Sequence, residues 1–483
     1  MNASRLMLKR ITAEGVQMHL LILIAMWLGA ASSNLSDDVS PVVTAPSGKV
    51  RGTVQYTNDL PDKPVYTFKG IPYAAPPVGD LRFRAPQPAA PWEGVRDASQ
   101  LGPYCPQDDA MLKGFSIYYQ QYIIHEDCLT LNVETPSIRN NAILPVLLWI
   151  HGGGLSLGAG GMWPYASLAA HQDVVVVTIN YRLGALGFLS TGDENAPGNF
   201  GLLDQVQAMR WVKENIRSFG GDPDRITIFG TSAGGASVCF HAVSPLTNGL
   251  FNRAISQSGV CLDTINPEPH GRAVMLAEDL GCDTEDTASM TSKMDDIMAA
   301  LLEEYSYHGN SGDPMAIQNQ FTQVYGDQFV VAPAVLVAEK YAGLGQVYLY
   351  ENRYVSSVAS AGRPDWVGCD HTDELPILAG LAFLDRPVSD GGQSPFSDED
   401  KKTSLDMMAY WANFARTGNP SDRTDGPADS PTVPEWPQYT PDNPAYMKLD
   451  LTSSADVGLK PEKMKLWNDV FPKLAASSDR DEL

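Results

Sequence analysis

The chain has 483 residues, 43% of them hydrophobic and 19% charged, so it can bury a substantial core in one large domain or several smaller ones. Its 34 Lys and Arg residues against 57 Asp and Glu residues give a net charge of −23. This charge disfavours binding to nucleic acid or to an anionic membrane surface, and we expect neither as a partner.

Basic, apolar and small-residue zones follow one another near the amino terminus. A basic stretch precedes the apolar run Leu20–Leu28, and the small residues Gly29–Ser33 come next. This order predicts a cleaved signal peptide over residues 1–33, with translation starting at Met1 or Met18. The run is too short to span a bilayer and no later stretch is apolar enough, so we expect no transmembrane anchor.

The last four residues, Arg480–Leu483, are close to the Lys-Asp-Glu-Leu retention signal that a receptor reads. Combined with a signal peptide, this tail favours the lumen of the endoplasmic reticulum, with secretion as the second choice. A retention receptor is therefore an expected partner through Arg480–Leu483.

Six cysteines in a chain that enters an oxidising compartment predict disulfides. We expect Cys105 to pair with Cys128, and Cys261 and Cys282 are candidates for a second pair. Cys239 stands among small and apolar residues and is interpreted as a buried thiol. No Cys or His spacing indicates a metal site.

The predicted elements alternate between strands and helices. Continuous apolar runs predict central strands that are buried on both faces, and apolar residues at helical spacing predict the helices between them. Residues 34–479 show no break in composition, so we expect a single α/β domain with a largely parallel central sheet and helices on both faces. The predicted strands are a hairpin over Val42–Val54, then Asp127–Val133, Leu144–Ile150, Val174–Asn180, Ile226–Phe229 and Gln346–Tyr350, and the predicted helices are Leu203–Phe219, Leu276–Cys282, Ser292–Glu304, Lys401–Arg416 and Pro461–Val470.

The segment Gly230–Gly234 reads Gly-Thr-Ser-Ala-Gly between a predicted strand and a predicted helix. This is the nucleophile-elbow pattern, in which glycines remove clashes around a sharp turn and expose the Ser232 hydroxyl at the carboxyl edge of the sheet. The alternative is a glycine-rich turn without chemistry.

A second motif, His151-Gly-Gly-Gly154, follows the central strand Leu144–Ile150. A serine hydroxyl reacts only when a base takes its proton and donors hold the developing oxyanion. Glycines offer bare backbone N–H groups for that purpose, so Gly153, Gly154 and the amide of Ala233 are the candidate oxyanion hole. A flexible loop is the alternative, and two such motifs after successive strands argue against it.

Together these motifs resemble the type-B carboxylesterases, the cholinesterase-like branch of the α/β-hydrolase fold. The resemblance extends from Val42 to the last predicted helix and implies a serine hydrolase of small-molecule carboxylic esters, with no metal and no dissociable cofactor. The matching segments are Phe68–Ala74, Glu126–Asn132, Trp149–Gly154, Asn180–Gly184, Gly198–Gln205, Phe219–Pro223, Phe251–Gly259 and Tyr410–Pro420.

The segment Gly368–Leu375 resembles the segment of that family that carries the catalytic histidine. Of eight histidines, only His371 lies late in such a context. The resemblance implies that an ester acylates Ser232, that His371 is the general base, and that water then hydrolyses the acyl-enzyme.

The chain departs from the family pattern in two ways. Thr231 precedes the nucleophile where relatives usually carry Glu. The interval between Ser232 and His371 is also much shorter than in the family, which places a missing segment near Thr284–Ser289. That segment should include one sheet strand and the catalytic acid.

Substitutes for the acid are Glu285, Asp286 and Glu351, each of which also reads as a solvated carboxylate. We assign no acid.

Three other readings are weighed against an active esterase. A truncated isoform or incorrect gene model, impaired by loss of the acid, stays open. A non-enzymatic adhesion module typically lacks the nucleophile and carries a membrane span, unlike this chain. In the cholinesterases, the loop that corresponds to Cys105–Cys128 carries a Trp that binds choline. Here the loop holds Tyr118, Tyr119 and Tyr122 but no Trp, which disfavours a cholinesterase.

Overall fold

The computed structural model describes residues 40–108, 122–190, 196–262, 323, 326–361, 363–364, 367–384, 395–470 and 472–473. The predicted signal peptide, the retention-like tail and the two helices predicted between residues 276 and 304 lie outside these ranges. The described residues from Val42 onward belong to one compact unit. No helix in this part of the chain is both long and apolar enough to span a membrane.

Thirteen strands are present in the described ranges. They are β1 (Val42–Ala45), β2 (Gly48–Arg51), β3 (Thr53–Gln55), β4 (Val65–Pro72), β5 (Val95–Asp97), β6 (Thr130–Thr135), β7 (Leu144–Ile150), β8 (Val175–Ile179), β9 (Gly221–Thr231), β10 (Arg253–Gln257), β11 (Leu349–Asn352), β12 (Ala445–Leu449) and β13 (Ser454–Val457).

Helices connect these strands and cover the sheet. The α-helices of the described residues are α1 (Ala166–Gln172), α2 (Gly184–Phe188), α3 (Phe200–Asn215), α4 (Ala233–Val243), α5 (Ala332–Tyr341), α6 (Ser357–Ser360), α7 (Glu374–Leu378), α8 (Asp398–Thr417) and α9 (Pro461–Lys465). Short 3-10 turns lie at Gly79–Leu81, Gly160–Met162, Ile216–Phe219, Pro245–Thr247 and Leu381–Phe383, and π-helical turns at Asp327–Val331 and Leu466–Val470.

The main sheet has seven strands in the order β10-β9-β7-β8-β6-β4-β3. Strands β8, β7, β9 and β10 run parallel, whereas β6, β4 and β3 pair in antiparallel fashion. Parallel strands need crossover connections, which the helices provide, and the carboxyl ends of β7 and β9 therefore meet at one edge of the sheet. This is the α/β-hydrolase architecture that the sequence predicts.

Both faces of the sheet are buried, as the apolar run of β7 predicts. Val146, Leu148 and Ile150 point into one core with residues of α3, and Leu147 and Trp149 point into a second core with residues of α8. Alternate residues of a strand face opposite sides, so one continuous apolar run serves two helical layers.

The sheet ends at β10 within the described ranges. Strand β11 does not join it but pairs in parallel with β12, which with β13 forms a separate three-stranded sheet. Residues 263–322, which include the position of the predicted missing strand, lie outside the described ranges.

Several element boundaries differ from the prediction by a few residues. The predicted strand Gln346–Tyr350 begins only at Leu349, because Val347 makes an isolated antiparallel bridge to Tyr439 instead. Helix α3 gives way to the 3-10 turn Ile216–Phe219, which Gly220 ends in a left-handed conformation with φ 82°.

Two disulfides are present among the described residues. Cys105 and Cys128 are bonded with an S–S distance of 2.04 Å, as expected. The predicted pairing of Cys261 with Cys282 is wrong, because Cys261 is bonded to Cys239, which is therefore not a free thiol. The physical reason is that α4 packs across the end of β10 and brings these two Cα atoms within 5.1 Å.

Candidate active site

Ser232 occupies the turn between β9 and α4. Its backbone has φ 59° and ψ −126°, a strained conformation for a residue with a side chain. The Ser232 N–H donates a hydrogen bond of 2.8 Å to the carbonyl oxygen of Gln257 at the end of β10, which helps to hold the turn. Ser232 is only partly buried.

The glycines on either side of Ser232 lie against the end of β7. A Cβ atom built on Gly230 would lie 2.5 Å from the carbonyl oxygen of Ile150, and one on Gly234 would lie 2.1 Å from the same oxygen. Only glycine permits this approach, which accounts for both glycines of the motif.

The glycine loop lies directly beside the nucleophile. A Cβ atom on Gly152 would lie 2.5 Å from the Thr231 carbonyl oxygen and 3.0 Å from the Cβ atom of Ser232. The N–H groups of Gly153 and Gly154 donate to no acceptor in the described part of the chain. Ala233 is the first residue of α4, where an N–H has no intrahelical acceptor. The glycine loop therefore contacts the elbow at Gly152, and the N–H groups of Gly153, Gly154 and Ala233 have no backbone acceptor in the described ranges.

His151 holds the glycine loop from behind. Its ring is buried and stacked on Tyr181 at a centroid distance of 4.3 Å, and its Nδ1 lies 2.8 Å from the carbonyl oxygen of Gly152. A carbonyl oxygen can only accept, so Nδ1 carries the proton. Burial lowers the pKa of His151 to about 4, and the ring is neutral at pH 7. His151 thus acts as a support for the loop and not as a base.

His371 lies in the turn before α7 and keeps an exposed surface. Its backbone N–H donates to Asp370 Oδ1 at 2.7 Å, but its ring forms no hydrogen bond with any described residue, Ser232 included. Desolvation lowers the pKa of His371 from 6.5, and the negative charges of Asp370 and Asp373 oppose that change. The ring is neutral at pH 7 and can accept a proton.

An ion pair fixes the outer side of the histidine turn. Arg363 binds Asp373 through two hydrogen bonds of 2.6 and 2.7 Å, and Asp373 also accepts the Asp370 N–H at 2.8 Å. Thr372, a β-branched residue, is held at φ 76°. Such a conformation persists only where the surroundings impose it.

Glu374 connects the histidine segment to the elbow. It is only 5% exposed, and its Oε1 accepts hydrogen bonds of 3.1 Å each from Thr231 Oγ1 and Gln257 Nε2. The only signal for Glu374 in the sequence is its place three positions after His371, and that place alone does not predict this role.

The structure provides no acid for the histidine within the described ranges. Glu351 is paired with Arg353 at 2.6 Å instead of with His371. Glu285 and Asp286, the other two candidates, lie outside the described residues. In the same part of the chain, no cluster of three His, Cys, Asp or Glu residues could hold a metal ion.

Comparisons with known proteins identify the family of the chain. The model of the carboxylesterase family matches residues 39–296 and 288–467, two segments that meet close to the predicted deletion. A pyrethroid hydrolase (Ces2e) of Rattus norvegicus is 35% identical over 90% of this chain and 91% of that protein. An acylcarnitine hydrolase of the same species is 34% identical over 94% of each chain. A cocaine esterase of Homo sapiens is 33% identical over 90% of this chain and 92% of that protein.

The alignment with the pyrethroid hydrolase has 531 positions, more than the 483 residues of this chain. The relatives therefore carry segments that this chain lacks. The family resemblance and the α/β-hydrolase fold are both confirmed, and the chain belongs to the carboxylesterase family of carboxylic ester hydrolases.

Proposed function

We propose that this protein hydrolyses small-molecule carboxylic esters through an acyl-enzyme on Ser232, with His371 as the general base. One observation carries the proposal: Gly152 contacts the elbow beside Ser232, whose backbone is strained, and the neighbouring N–H groups of Gly153, Gly154 and Ala233 have no backbone acceptor among the described residues. This arrangement suits acyl transfer.

The oxyanion site is the main source of transition-state stabilisation in this proposal. As Ser232 Oγ attacks the ester carbonyl, negative charge develops on the carbonyl oxygen, and the three backbone donors bind it. The amino-terminal end of the 11-residue helix α4 adds a favourable partial positive charge at the same point. Removing one such donor from a serine hydrolase costs about 100- to 1000-fold in kcat.

His371 receives the proton of Ser232 and passes it to the departing alcohol. Hydrogen bonds of catalytic groups are often loose before substrate binds and tighten in the complex, so the histidine turn has to move the ring towards Ser232. Without a triad acid, we expect turnover about four orders of magnitude below that of a complete triad. The nearby charges of Asp370 and Asp373 favour the imidazolium and offset part of this loss.

A catalytically impaired protein is the second candidate. The observation in its favour is that no described carboxylate accepts a hydrogen bond from the His371 ring, and that the main sheet stops at β10 within the described ranges.

Hydrolysis of a p-nitrophenyl acyl ester distinguishes the two candidates. The purified mature chain is compared with Ser232→Ala and with Ser454→Ala, which changes an exposed serine of β13 as a control. An active esterase loses its hydrolysis in Ser232→Ala alone. If all three folded proteins hydrolyse the ester at equal and negligible rates, the protein is catalytically impaired.

The same proposal includes residence in the lumen of the endoplasmic reticulum, supported by the signal-like residues 1–33 and the tail Arg480–Leu483. Expression of the full chain with and without the tail tests it. Retention by a receptor predicts that the protein without the tail appears in the medium.

A further inference from the structure

One carboxyl oxygen accepts hydrogen bonds from the last residues of two neighbouring strands. Thr231 is the last residue of β9 and Gln257 the last residue of β10, and the two are register partners in the parallel pair. Both side chains donate to the same oxygen, Oε1 of Glu374, at 3.1 Å. Glu374 is the first residue of α7, so it ties the histidine segment to both strand ends at once.

The two donors also frame the backbone of the nucleophile. Thr231 directly precedes Ser232, and the Gln257 carbonyl oxygen accepts the Ser232 N–H at 2.8 Å. The loop after β10 is equally close, because a Cβ atom on Gly259 would lie 2.3 Å from the Ser232 carbonyl oxygen. A shift of either strand end would therefore move Ser232 relative to its oxyanion donors.

Glu374 is buried beside neutral hydrogen-bond donors. No Lys or Arg forms an ion pair or a hydrogen bond with it in the described ranges, and its two side-chain donors are neutral groups. Burial raises the pKa of Glu374 from 4.5, and the hydrogen bonds from Thr231 and Gln257 oppose that rise only in part. The side-chain hydrogen bonds of Glu374 go to Thr231 and Gln257 and not to the His371 ring, so Glu374 does not take the place of the missing triad acid.

We propose that Glu374 is a positioning residue for ester hydrolysis, which holds the nucleophile elbow and the histidine turn in register through Thr231 and Gln257. The inference rests on the proposed function. It is specific to this chain in one respect: Thr231 offers a hydroxyl donor to Glu374 at the position where the family resemblance implies a second carboxyl group.

The test compares Glu374→Gln, which keeps the accepting oxygen, with Glu374→Leu, which removes it at similar size. We expect Glu374→Leu to lower kcat for a p-nitrophenyl ester about tenfold or more, because two buried donors lose their acceptor and the elbow relaxes. KM should stay within about twofold, since the substitution removes no group that binds the substrate in this proposal. Glu374→Gln should retain kcat within about threefold of the wild type, because a neutral acceptor suffices.

Each other result overturns the inference. If Glu374→Gln is as slow as Glu374→Leu, the charge matters and not the accepting oxygen. If Glu374→Leu unfolds at a lower temperature but keeps the wild-type kcat, the residue is structural only.

If the wild type hydrolyses no ester, the proposed function fails, but the link through Glu374 can still be tested by stability measurements. Unfolding midpoints of Thr231→Val, Glu374→Leu and the double variant then decide. A double variant that loses clearly less than the two single losses combined supports the link between the elbow and the histidine segment. Additive losses contradict it.

Discussion

The contact between the glycine loop and the elbow at Gly152 can be tested by adding one methyl group. In Gly152→Ala the new Cβ atom would lie 2.5 Å from the Thr231 carbonyl oxygen and 3.0 Å from Ser232 Cβ. Since ordinary contacts are about 3.5 Å, the loop and the elbow would have to separate by roughly 1 Å. A misplacement of that size costs about 100-fold in turnover. Overpacking of this kind also costs about 1–3 kcal/mol of unfolding free energy.

The chain offers a matched control at the far edge of the sheet. A Cβ atom on Gly52 would lie 2.4 Å from the Thr67 carbonyl oxygen, a comparable clash beside the edge strand β3. Neither Gly52 nor Gly152 has a positive φ, so alanine adds steric conflict at both positions without backbone strain.

The assay measures kcat on a p-nitrophenyl ester and unfolding by urea for both variants. We expect similar losses of stability, with kcat reduced only in Gly152→Ala. If Gly152→Ala keeps the wild-type kcat, or if Gly52→Ala loses as much, the glycine loop does not set the geometry of the oxyanion site.

Three further predictions concern titration and strain. Burial lowers the pKa of His241 to about 4, whereas a histidine in the unfolded chain has a pKa of about 6.5. The free energy of unfolding should therefore fall by about 3 kcal/mol as the pH drops from about 6.5 to about 4. His241→Gln, which keeps a donor for Gln205, should remove that part of the acid sensitivity in urea unfolding at pH 7 and pH 4.5; an unchanged pH dependence would contradict it. Thr372→Gly should raise the unfolding free energy by about 1 kcal/mol by relieving a positive φ of 76°, whereas a loss of stability would show that the conformation is not strained. The acid limb of kcat/KM should lie below pH 6.5, and Asp370→Asn should move it to lower pH by removing a charge that raises the pKa of His371; a shift to higher pH would refute this assignment.

The parts of the site that the sequence predicts are local in the chain. Ser232 and the glycines around it form one strand–turn–helix segment, and the glycine loop follows its own strand. Because β7 and β9 are parallel neighbours, their carboxyl ends meet at one edge, and the two motifs come together without further information.

The parts that the sequence does not predict depend on packing between distant segments. Cys239 is bonded to Cys261 because α4 packs on β10. The spacing of the cysteines in the sequence does not predict this packing. Glu374 binds donors that lie 143 and 117 positions away in the chain. These contacts depend on the pairing register of two strands, which hydrophobic periodicity alone does not specify.

The most direct test of the central claim is a rapid-mixing experiment with p-nitrophenyl acetate, followed by acid quench and mass spectrometry of the peptide that contains Ser232. Acyl transfer predicts a burst of p-nitrophenol equivalent to the active enzyme and an acetyl group on Ser232. The acetyl group should be absent from Ser232→Ala. A folded wild-type protein that gives neither a burst nor an acetylated Ser232 would contradict the account, because the assembled elbow and oxyanion site would then carry no chemistry.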